Sequence, residues 1–255
     1  MRLLLREPAA EFIGTLILVL LGTAVDCQVV LSTKPEVASS PKGSYLSISF
    51  GWGIATALGV WISMGGSGGH LNPAVSLALC LFRGFPSRKL PVFILSQVLG
   101  GFTGALISFS LYYRAIVTFE NGHLTTPGTS GLFTTFPLDY VSSVSCFFNE
   151  FRGTAILVLV VFAVTDTRKD ALPPAAVPFV LFLTVTGIGA SLGMQTSYAI
   201  NPARDLGPRL MTAIFYGSKV FTFRRHYWIW TPIIGPMTGS VIGATIYEAL
   251  LASPQ

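Results

Sequence analysis

Long apolar stretches alternate with short polar segments along almost the whole chain. Six of the apolar stretches have the character of membrane-spanning helices, which need about 20 mostly apolar residues. The predicted spans are 8–31, 45–64, 90–113, 140–164, 178–192 and 227–251. The polar segments between them are 32–44, 83–89, 114–139, 166–170 and 219–226. The longest, 114–139, contains two turn signals, Asn-Gly and Pro-Gly, so we expect it to connect two halves of the chain.

The two halves repeat each other. The pattern Glu-Phe-x-Gly-Thr begins at Glu11 in the first span and returns at Glu150 in the fourth. Its recurrence in mid-chain favours a membrane helix over a secretory signal peptide, the other interpretation of the N-terminal stretch. Each half has three spans, an odd number, so the halves must cross the membrane in opposite orientations as inverted repeats. We divide the chain into repeats at 1–126 and 127–255.

Each half also contains one Asn-Pro-Ala box between its second and third spans. Asn is a good helix N-cap, because its side-chain oxygen accepts hydrogen bonds from the first turn, and Pro suits the first helical position. The segments that follow are too short to span a bilayer, so we predict half-helices at 73–82 and 202–214. The glycines within 65–69 would let the backbone ahead of the first box leave helical geometry. The box residues are Asn72, Pro73, Ala74, Asn201, Pro202 and Ala203.

Inverted repeats would bring the two half-helices in from opposite faces, so that their N-termini meet near the membrane midplane. Irregular backbone at that depth is tolerated only where it is buried in protein or lines a water-filled path. The predicted fold class is therefore an all-α membrane protein, with six transmembrane helices and two re-entrant half-helices around one pore. Lys and Arg divide equally between the two sides, so the positive-inside rule does not orient the chain.

The composition excludes several other classes of protein. Hydrophobic residues make up 51% of the chain and charged residues 11%, whereas soluble domains carry about 25% charge. The net charge of +5 is spread over loops and forms no basic face for nucleic acid. The three cysteines lie at unrelated spacings in apolar surroundings, so we expect neither a disulfide nor a metal site. An enzyme has little support, because no nucleophile–base pair or phosphate-binding loop is present.

The first box is preceded by Ser-Gly-Gly-His-Leu, and the second is followed by Arg204 and Asp205. With these two boxes the chain resembles the aquaporins, and more closely the glycerol-conducting aquaglyceroporins. The resemblance covers essentially the whole chain. It implies a passive channel, without cofactors, that conducts glycerol, other small uncharged solutes and water and excludes protons and ions. It also implies a homotetramer in the lipid bilayer, and we expect the plasma membrane. Urea and other small polyols remain open as substrates. A mainly water-selective aquaporin and, with less support, a coupled secondary transporter remain open as functions.

The resemblance also assigns a selectivity filter. Trp52 and Tyr198 would form an aromatic corner for the CH edge of a polyol, and Arg204 would donate two hydrogen bonds to its hydroxyls. Gly189 would leave room where water-selective relatives keep a His. Tyr198 stands where bacterial glycerol channels have Phe, so its hydroxyl would narrow the filter or add a donor. Without the resemblance, Trp52 would equally suit an interfacial anchor and Tyr198 loop packing. Matches to the glycerol branch are Asp205, Arg209, Pro232 and Ile233.

The boxes suggest how such a pore conducts. Each half-helix N-terminus carries a partial positive charge, so two facing ends repel cations and disfavour a protonated water. If capping holds the side-chain oxygens of Asn72 and Asn201, their NH₂ groups are free to donate to a permeating oxygen. Backbone carbonyls would supply acceptors on one side of the path, with apolar side chains on the other. These carbonyls belong to Gly68, Gly69, His70, Leu71, Ser197, Tyr198, Ala199 and Ile200.

Four ionisable residues within the apolar regions need an explanation. Glu11 and Glu150 would form a proton relay under the usual interpretation of intramembrane acids. We favour a structural role, because re-entrant loops have free N–H groups that a carboxylate can satisfy. We likewise interpret His70 as a structural hydrogen-bonding group rather than a proton carrier. Arg152 either pairs with Glu150 or lies on the opposite face of its helix.

Overall fold

The computed structural model describes residues 2–168 and 172–252, with side chains from residue 5 onward. Within these ranges the secondary structure is entirely helical, and six helices are long and apolar enough to cross a membrane. The all-α membrane fold predicted from the sequence is therefore confirmed. The main helices are α1 Arg2–Leu31, α2 Tyr45–Ser67, α3 Pro73–Phe82, α4 Leu90–Phe119, α5 Ser143–Val164, α6 Val177–Leu192, α7 Pro202–Tyr216 and α8 Tyr227–Leu251.

Several helix ends differ from the predicted ones. Helix α1 begins at Arg2 and contains Pro8, because the helix continues beyond the apolar stretch that marks the span. Helix α4 continues past the exposed Arg114 to Phe119. Helix α5 starts after Ser142, whose hydroxyl accepts a hydrogen bond from the backbone N–H of Ser145 and so caps the helix. Of the charged turn predicted at 166–170, Lys169 and Asp170 lie outside the described residues.

The glycine-rich segment ahead of the first box is only partly irregular. Gly65 and Gly66 remain helical within α2, and a side chain at Gly66 would meet Ala10 at 2.7 Å. Gly66 is therefore needed for close packing of α2 on α1, rather than for a turn. The irregular backbone begins at Gly68 and Gly69, whose φ angles of 93° and 69° favour glycine.

The six long helices form two groups of three. Helix α1 packs on α2 and α4, and α5 packs on α6 and α8, while α2 also contacts α6 across the groups. Each half-helix packs against the other repeat, α3 on α8 and α7 on α4. This exchange of half-helices joins the two repeats into one body and brings the boxes together between them.

Glycines permit the same close helix contact in both repeats. A side chain at Gly100 or Gly104 of α4 would collide with backbone carbonyls of α1. A side chain at Gly239 or Gly243 of α8 would collide with backbone carbonyls of α5. Small residues four positions apart let helices approach without intervening lipid, so each repeat holds its first and third spans together in the same way.

The connection between the halves, residues 120–142, is not a simple surface loop. It contains a short 3₁₀ helix, Thr129–Leu132, and its Phe133 and Thr135 are completely buried. Sequence reasoning predicted a connection here but not that it enters the protein interior. The buried part contacts α7 and reaches the candidate site.

Candidate pore and selectivity site

A cavity of about 150 Å³, measured as the space open to the centres of water molecules, lies between the repeats. The re-entrant loops contribute Gly68, Gly69, His70, Leu71, Asn72, Tyr198, Ala199, Ile200 and Asn201. Aliphatic side chains in the lining are Leu18, Val60, Val75, Leu79, Leu157, Val161, Val177, Leu181 and Val185. Trp52 and Arg204 also line it, whereas the predicted Gly189 and Ser197 do not. The cavity thus combines backbone polar groups with a largely aliphatic surface.

The box asparagines cap their half-helices and also bind each other's loops. The side-chain oxygen of Asn72 accepts from the N–H of Ala74 at 2.9 Å, and that of Asn201 accepts from the N–H groups of Ala203 and Arg204 at 2.9 and 3.2 Å. Each NH₂ group donates across the midplane, from Asn72 to the Ile200 carbonyl at 2.9 Å and from Asn201 to the Leu71 carbonyl at 2.8 Å.

These crossed bonds correct the expectation that both NH₂ groups and both carbonyls are free for a permeating molecule. One hydrogen of each amide is used by the opposite loop, which leaves the other hydrogen for the cavity. The carbonyls of Leu71 and Ile200 are likewise already bonded, although each oxygen can accept twice. The crossed pair therefore fixes the distance between the two half-helix N-termini.

The loop backbone ahead of each box has unusual geometry. Leu71, Ser197, Tyr198 and Ile200 have φ angles of 51°, 60°, 36° and 42°, in a region that residues with side chains occupy rarely. Such conformations persist only when the surroundings fix them. Here the surroundings that fix them include two buried glutamates.

Glu11 and Glu150 hold the two loops in equivalent ways. Both are fully buried. Glu11 accepts from the N–H groups of His70 and Leu71 at 3.0 and 2.8 Å, and Glu150 accepts from those of Ala199 and Ile200 at 3.0 and 2.7 Å. Further donors to the carboxylates are Ser67 and Gln97 in the first half and Thr196 in the second. Each carboxylate thus satisfies the N–H groups of its re-entrant loop.

His70 is bonded within the first loop. Its Nδ1 lies 3.0 Å from the hydroxyl of Ser76, and its ring packs edge-on against Phe85 with centroids 4.8 Å apart. The hydroxyl of Ser76 also accepts from Gln97, at 3.0 Å. This network connects the loop to α3 and α4, an arrangement that fits the structural interpretation of His70.

Arg204 and Trp52 form a cation–π pair at the cavity. The guanidinium carbon of Arg204 lies 4.0 Å from the centroid of the Trp52 ring, and its Nη1 donates to the carbonyl of Phe133 at 3.2 Å. Both side chains are buried except for the surface that faces the cavity, with 5% and 3% exposure. The indole N–H of Trp52 points to Asp26, 3.2 Å from both carboxylate oxygens. Sequence reasoning missed both Phe133 and Asp26.

Gly189 does not widen the cavity directly, contrary to the expectation. A side chain there would lie 2.8 Å from Cζ and 3.0 Å from the hydroxyl of Tyr198, so the space above Gly189 is filled by the Tyr198 ring. The hydroxyl of Tyr45 donates to the Gly189 carbonyl at 2.9 Å. The hydroxyl of Tyr198 has no hydrogen-bond partner among the described residues, and Tyr198 lines the cavity. Gly189 therefore acts by admitting Tyr198.

The residues matched to the glycerol branch lie behind the pore wall. Asp205 and Arg209 form a fully buried ion pair at 2.7 Å. Asp205 also accepts from the N–H and hydroxyl of Thr135, and Arg209 donates to the carbonyls of Thr135 and Val220. The pair thus ties the connection between the halves to α7. The other two, Pro232 and Ile233, lie in the π-helical part of α8.

Arg152 lies on the exposed outer face of α5, with its guanidinium carbon 5.7 Å from the ring centroid of Phe148. Of the two predicted alternatives, pairing with Glu150 or a position on the opposite face of the helix, the structure has the second. The structure does not pair Arg152 with Glu150, which is buried against the second loop.

A charged cluster lies near one end of the cavity, and the sequence predicted only its charged turn at 166–170, not the contacts that form it. Thr165 lines the cavity, and the next residue, Asp166, is bound by Arg168 at 2.8 Å and by the hydroxyl of Tyr247 at 2.8 Å. Hydrogen bonds from Arg168 hold the pKa of Asp166 well below its usual range. Arg83, at the C-terminus of α3, binds Glu248 at 2.6 Å. The cluster joins the ends of α3, α5 and α8.

Six membrane-crossing helices, with two half-helices whose capped N-termini meet at an internal cavity, define a membrane channel rather than an enzyme. The chain matches the family model described as major intrinsic protein over residues 2–247, and it belongs to this family. It is thus an integral, multi-pass membrane protein of a family of channels.

Curated relatives and a solved structure agree with this assignment. Aquaporin-6 of Laccaria bicolor is 54% identical over 245 residues, which is 95% of this chain and 78% of the relative. Aquaporin-7-2 of the same organism is 51% identical over 249 residues, covering 97% and 75%. The X-ray structure of the aquaglyceroporin from Plasmodium falciparum is similar with a TM-score of 0.85 at 31% identity, covering 97% of this chain and 96% of that one.

Proposed function

We propose that this protein is a passive channel for glycerol, other small uncharged solutes and water, and that it excludes protons and ions. The observation that carries the proposal is a cavity lined by the cation–π pair of Arg204 and Trp52 and also by Tyr198. It combines a fixed cationic donor with two aromatic surfaces. The similarity to a solved aquaglyceroporin supports the same substrate class.

A polyol has hydroxyls along one edge and CH groups along the other. The guanidinium of Arg204 donates to the hydroxyls, while the rings of Trp52 and Tyr198 contact the CH edge. Further along the cavity, carbonyls such as those of Gly68 and Ala199 accept from the hydroxyls, and the aliphatic lining contacts the carbon chain. Each segment of the path therefore suits both edges of glycerol, and urea or other small polyols satisfy the same requirement.

Exclusion of ions follows from the charges at the site. The N-termini of α3 and α7 carry partial positive charges that face the midplane, and Arg204 adds a full charge. The remaining N–H hydrogens of Asn72 and Asn201 donate to a permeating water, so that water cannot also accept a proton along a continuous chain. Cations and protonated water are therefore disfavoured at two places in the path.

A mainly water-selective channel is the second candidate, because the Tyr198 ring lines the cavity and fills the space beside Gly189 that a wider path would need. The aquaporin names of the Laccaria relatives are compatible with either preference. A coupled transporter has less support. The two intramembrane glutamates are occupied by loop N–H groups and neighbouring polar side chains, which is a structural use rather than a coupling site.

We further propose that copies of the chain assemble as a tetramer in the plasma membrane. Arg152 lies midway along α5 on a face that also exposes Val144, Phe148 and Ile156. A charged side chain at that depth is costly when it faces lipid. Contact with a neighbouring subunit would remove Arg152 from the lipid, so the outer face of α5 suits a subunit interface.

Stopped-flow light scattering on proteoliposomes tests the channel function with water and glycerol gradients in parallel. We expect rapid osmotic shrinkage in both, followed by re-swelling in glycerol that is not saturable and does not respond to a proton gradient. Fast water flux with re-swelling no faster than in empty liposomes would contradict glycerol conduction. Saturable or proton-driven flux would contradict a passive pore.

A further inference from the structure

We propose that Asp26 is a positioning residue of the selectivity filter, which fixes the indole of Trp52 and so favours glycerol over water. The proposal rests on the proposed function as a glycerol channel. It concerns a residue of α1 that lies outside both boxes and does not itself line the cavity.

The contact between Asp26 and Trp52 is specific. The indole N–H lies between the two carboxylate oxygens, with both N···O distances at 3.2 Å. Asp26 is half-buried within a membrane span. A carboxylate at such a position is costly and is usually retained for a function. The N–H of Trp52 is the partner that the structure provides for it.

A second residue of α1 supports the same ring. Gly22 lies one helical turn before Asp26, and a side chain at Gly22 would collide with the six-membered ring of Trp52. The glycine therefore lets the ring lie directly against α1, while Asp26 binds its N–H edge. Residues four apart lie on one face of a helix, so α1 presents both contacts together.

The ring held in this way carries Arg204, which lies 4.0 Å from the ring centroid. A cation is attracted to the negative face of an aromatic ring. A carboxylate that accepts from the indole N–H polarises the ring and makes its face more negative, because linked polar contacts strengthen one another. Asp26, Trp52 and Arg204 thus form a chain of three contacts that ends at the cavity.

Loss of the carboxylate would leave the N–H of Trp52 without its acceptor and the ring free to tilt. In the proposed channel the CH groups of glycerol pack against the Trp52 ring, whereas water has no CH groups and does not depend on this contact. The expected consequence is a lower ratio of glycerol to water permeability rather than a general loss of flux.

Four variants test the proposal in proteoliposomes: Asp26→Ala, Asp26→Asn, Trp52→Phe and the double variant Asp26→Ala/Trp52→Phe. We expect Asp26→Ala to lower the glycerol-to-water ratio by roughly twofold to fivefold, the scale of a weakened cation–π contact. Asp26→Asn retains an oxygen acceptor, so it should lower the glycerol-to-water ratio less than Asp26→Ala does. In the Trp52→Phe background, which lacks the N–H, Asp26→Ala should have no further effect.

The double variant separates positioning from general destabilisation, because interacting residues give non-additive effects. An Asp26→Ala effect of the same size with and without the Trp52 N–H would overturn the proposal, as would an unchanged or raised ratio in Asp26→Ala. Should Asp26→Ala fail to assemble, Asp26→Asn and Trp52→Phe must still lower the ratio, and either one at the wild-type ratio overturns it.

Matched controls are Trp61→Phe on the exposed face of the same helix and Glu36→Ala in an exposed loop, which should keep the wild-type ratio. A wild-type protein that conducts water but not glycerol would instead contradict the proposed function. That result is read from the wild type alone, so it is distinct from a failure of the Asp26 proposal.

Discussion

The two re-entrant loops share one scaffold but present different chemistry to the cavity. In each, a glutamate from the first span of its repeat accepts two backbone N–H groups, and the box asparagine caps the half-helix. In each, the asparagine also donates to the opposite loop. The features that hold the backbone in place are therefore repeated in both halves.

The difference begins just after the boxes. Val75 and Ser76 follow the first box where Arg204 and Asp205 follow the second. Val75 adds an aliphatic wall to the cavity, whereas Arg204 adds a charged donor. Asp205 forms a buried ion pair with Arg209 that has no equivalent in α3. The chemistry of the cavity therefore comes from departures from the repeat, and the repeat itself provides the frame.

If the scaffold is symmetric, removing either glutamate should damage the protein to a similar extent. Glu11→Ala and Glu150→Ala each leave two buried N–H groups in a strained loop without their acceptor. We expect the free energy of unfolding to fall by on the order of 3 kcal/mol in each, since hydrogen bonds to charged groups are strong. Thermal unfolding in detergent, with Glu36→Ala as the exposed control, measures the loss. If one of the two variants kept the wild-type unfolding midpoint while the other lost stability, the symmetry of the scaffold would be contradicted.

If selectivity is asymmetric, giving the second loop the residue of the first should remove it. Arg204→Val installs the counterpart of Val75 and deletes the full charge at the cavity. We expect proton or cation leakage to rise by about tenfold or more, because a unit charge in a poorly screened site contributes several kcal/mol. A pH-sensitive dye inside liposomes measures the leak, with Val75→Ala as the control in the first loop. Unchanged leakage in folded Arg204→Val would contradict this asymmetry.

The two caps should differ by a smaller amount. Asn72 accepts from one backbone N–H and Asn201 from two. Substituting Asn72 by Ala should cost about 1 kcal/mol of stability, and substituting Asn201 roughly twice that. Both variants also lose a donor to the opposite loop and should show lower flux. Wild-type stability and permeability in both would mean that the caps do not hold the half-helices.

The sequence predicted the helices because each signal is local. Apolar stretches marked the spans, and Asn-Pro marked the starts of α3 and α7, whose first residues are Pro73 and Pro202. The ends were less accurate where a helix outlasts its apolar stretch. Helix α7 continues to Tyr216, two residues past the predicted end, because Gly217 terminates it.

The missed site residues act through contacts between distant parts of the chain. Asp26 meets Trp52 only because α1 and α2 pack side by side, and the Phe133 carbonyl reaches Arg204 only because the connection enters the interior. Backbone carbonyls leave no residue-type signal at all. The family resemblance assigns Gly189 to the filter, but only the packed structure shows that the Tyr198 ring fills the space beside it.

The central claim, that Arg204 and Tyr198 give the second re-entrant loop its part in the filter, is tested most directly at Gly189. A His there must displace the Tyr198 ring, because even a Cβ would lie 2.8 Å from it, and both groups would then crowd the path beside Arg204. The measurement is the glycerol and water permeability of Gly189→His in proteoliposomes, with Tyr198→Phe as the control that removes only the unpartnered hydroxyl. We predict that glycerol permeability falls much further than water permeability in Gly189→His, and that Tyr198→Phe keeps or raises glycerol flux. Equal falls in both fluxes, or no change in either, would contradict the role of the second loop in the filter.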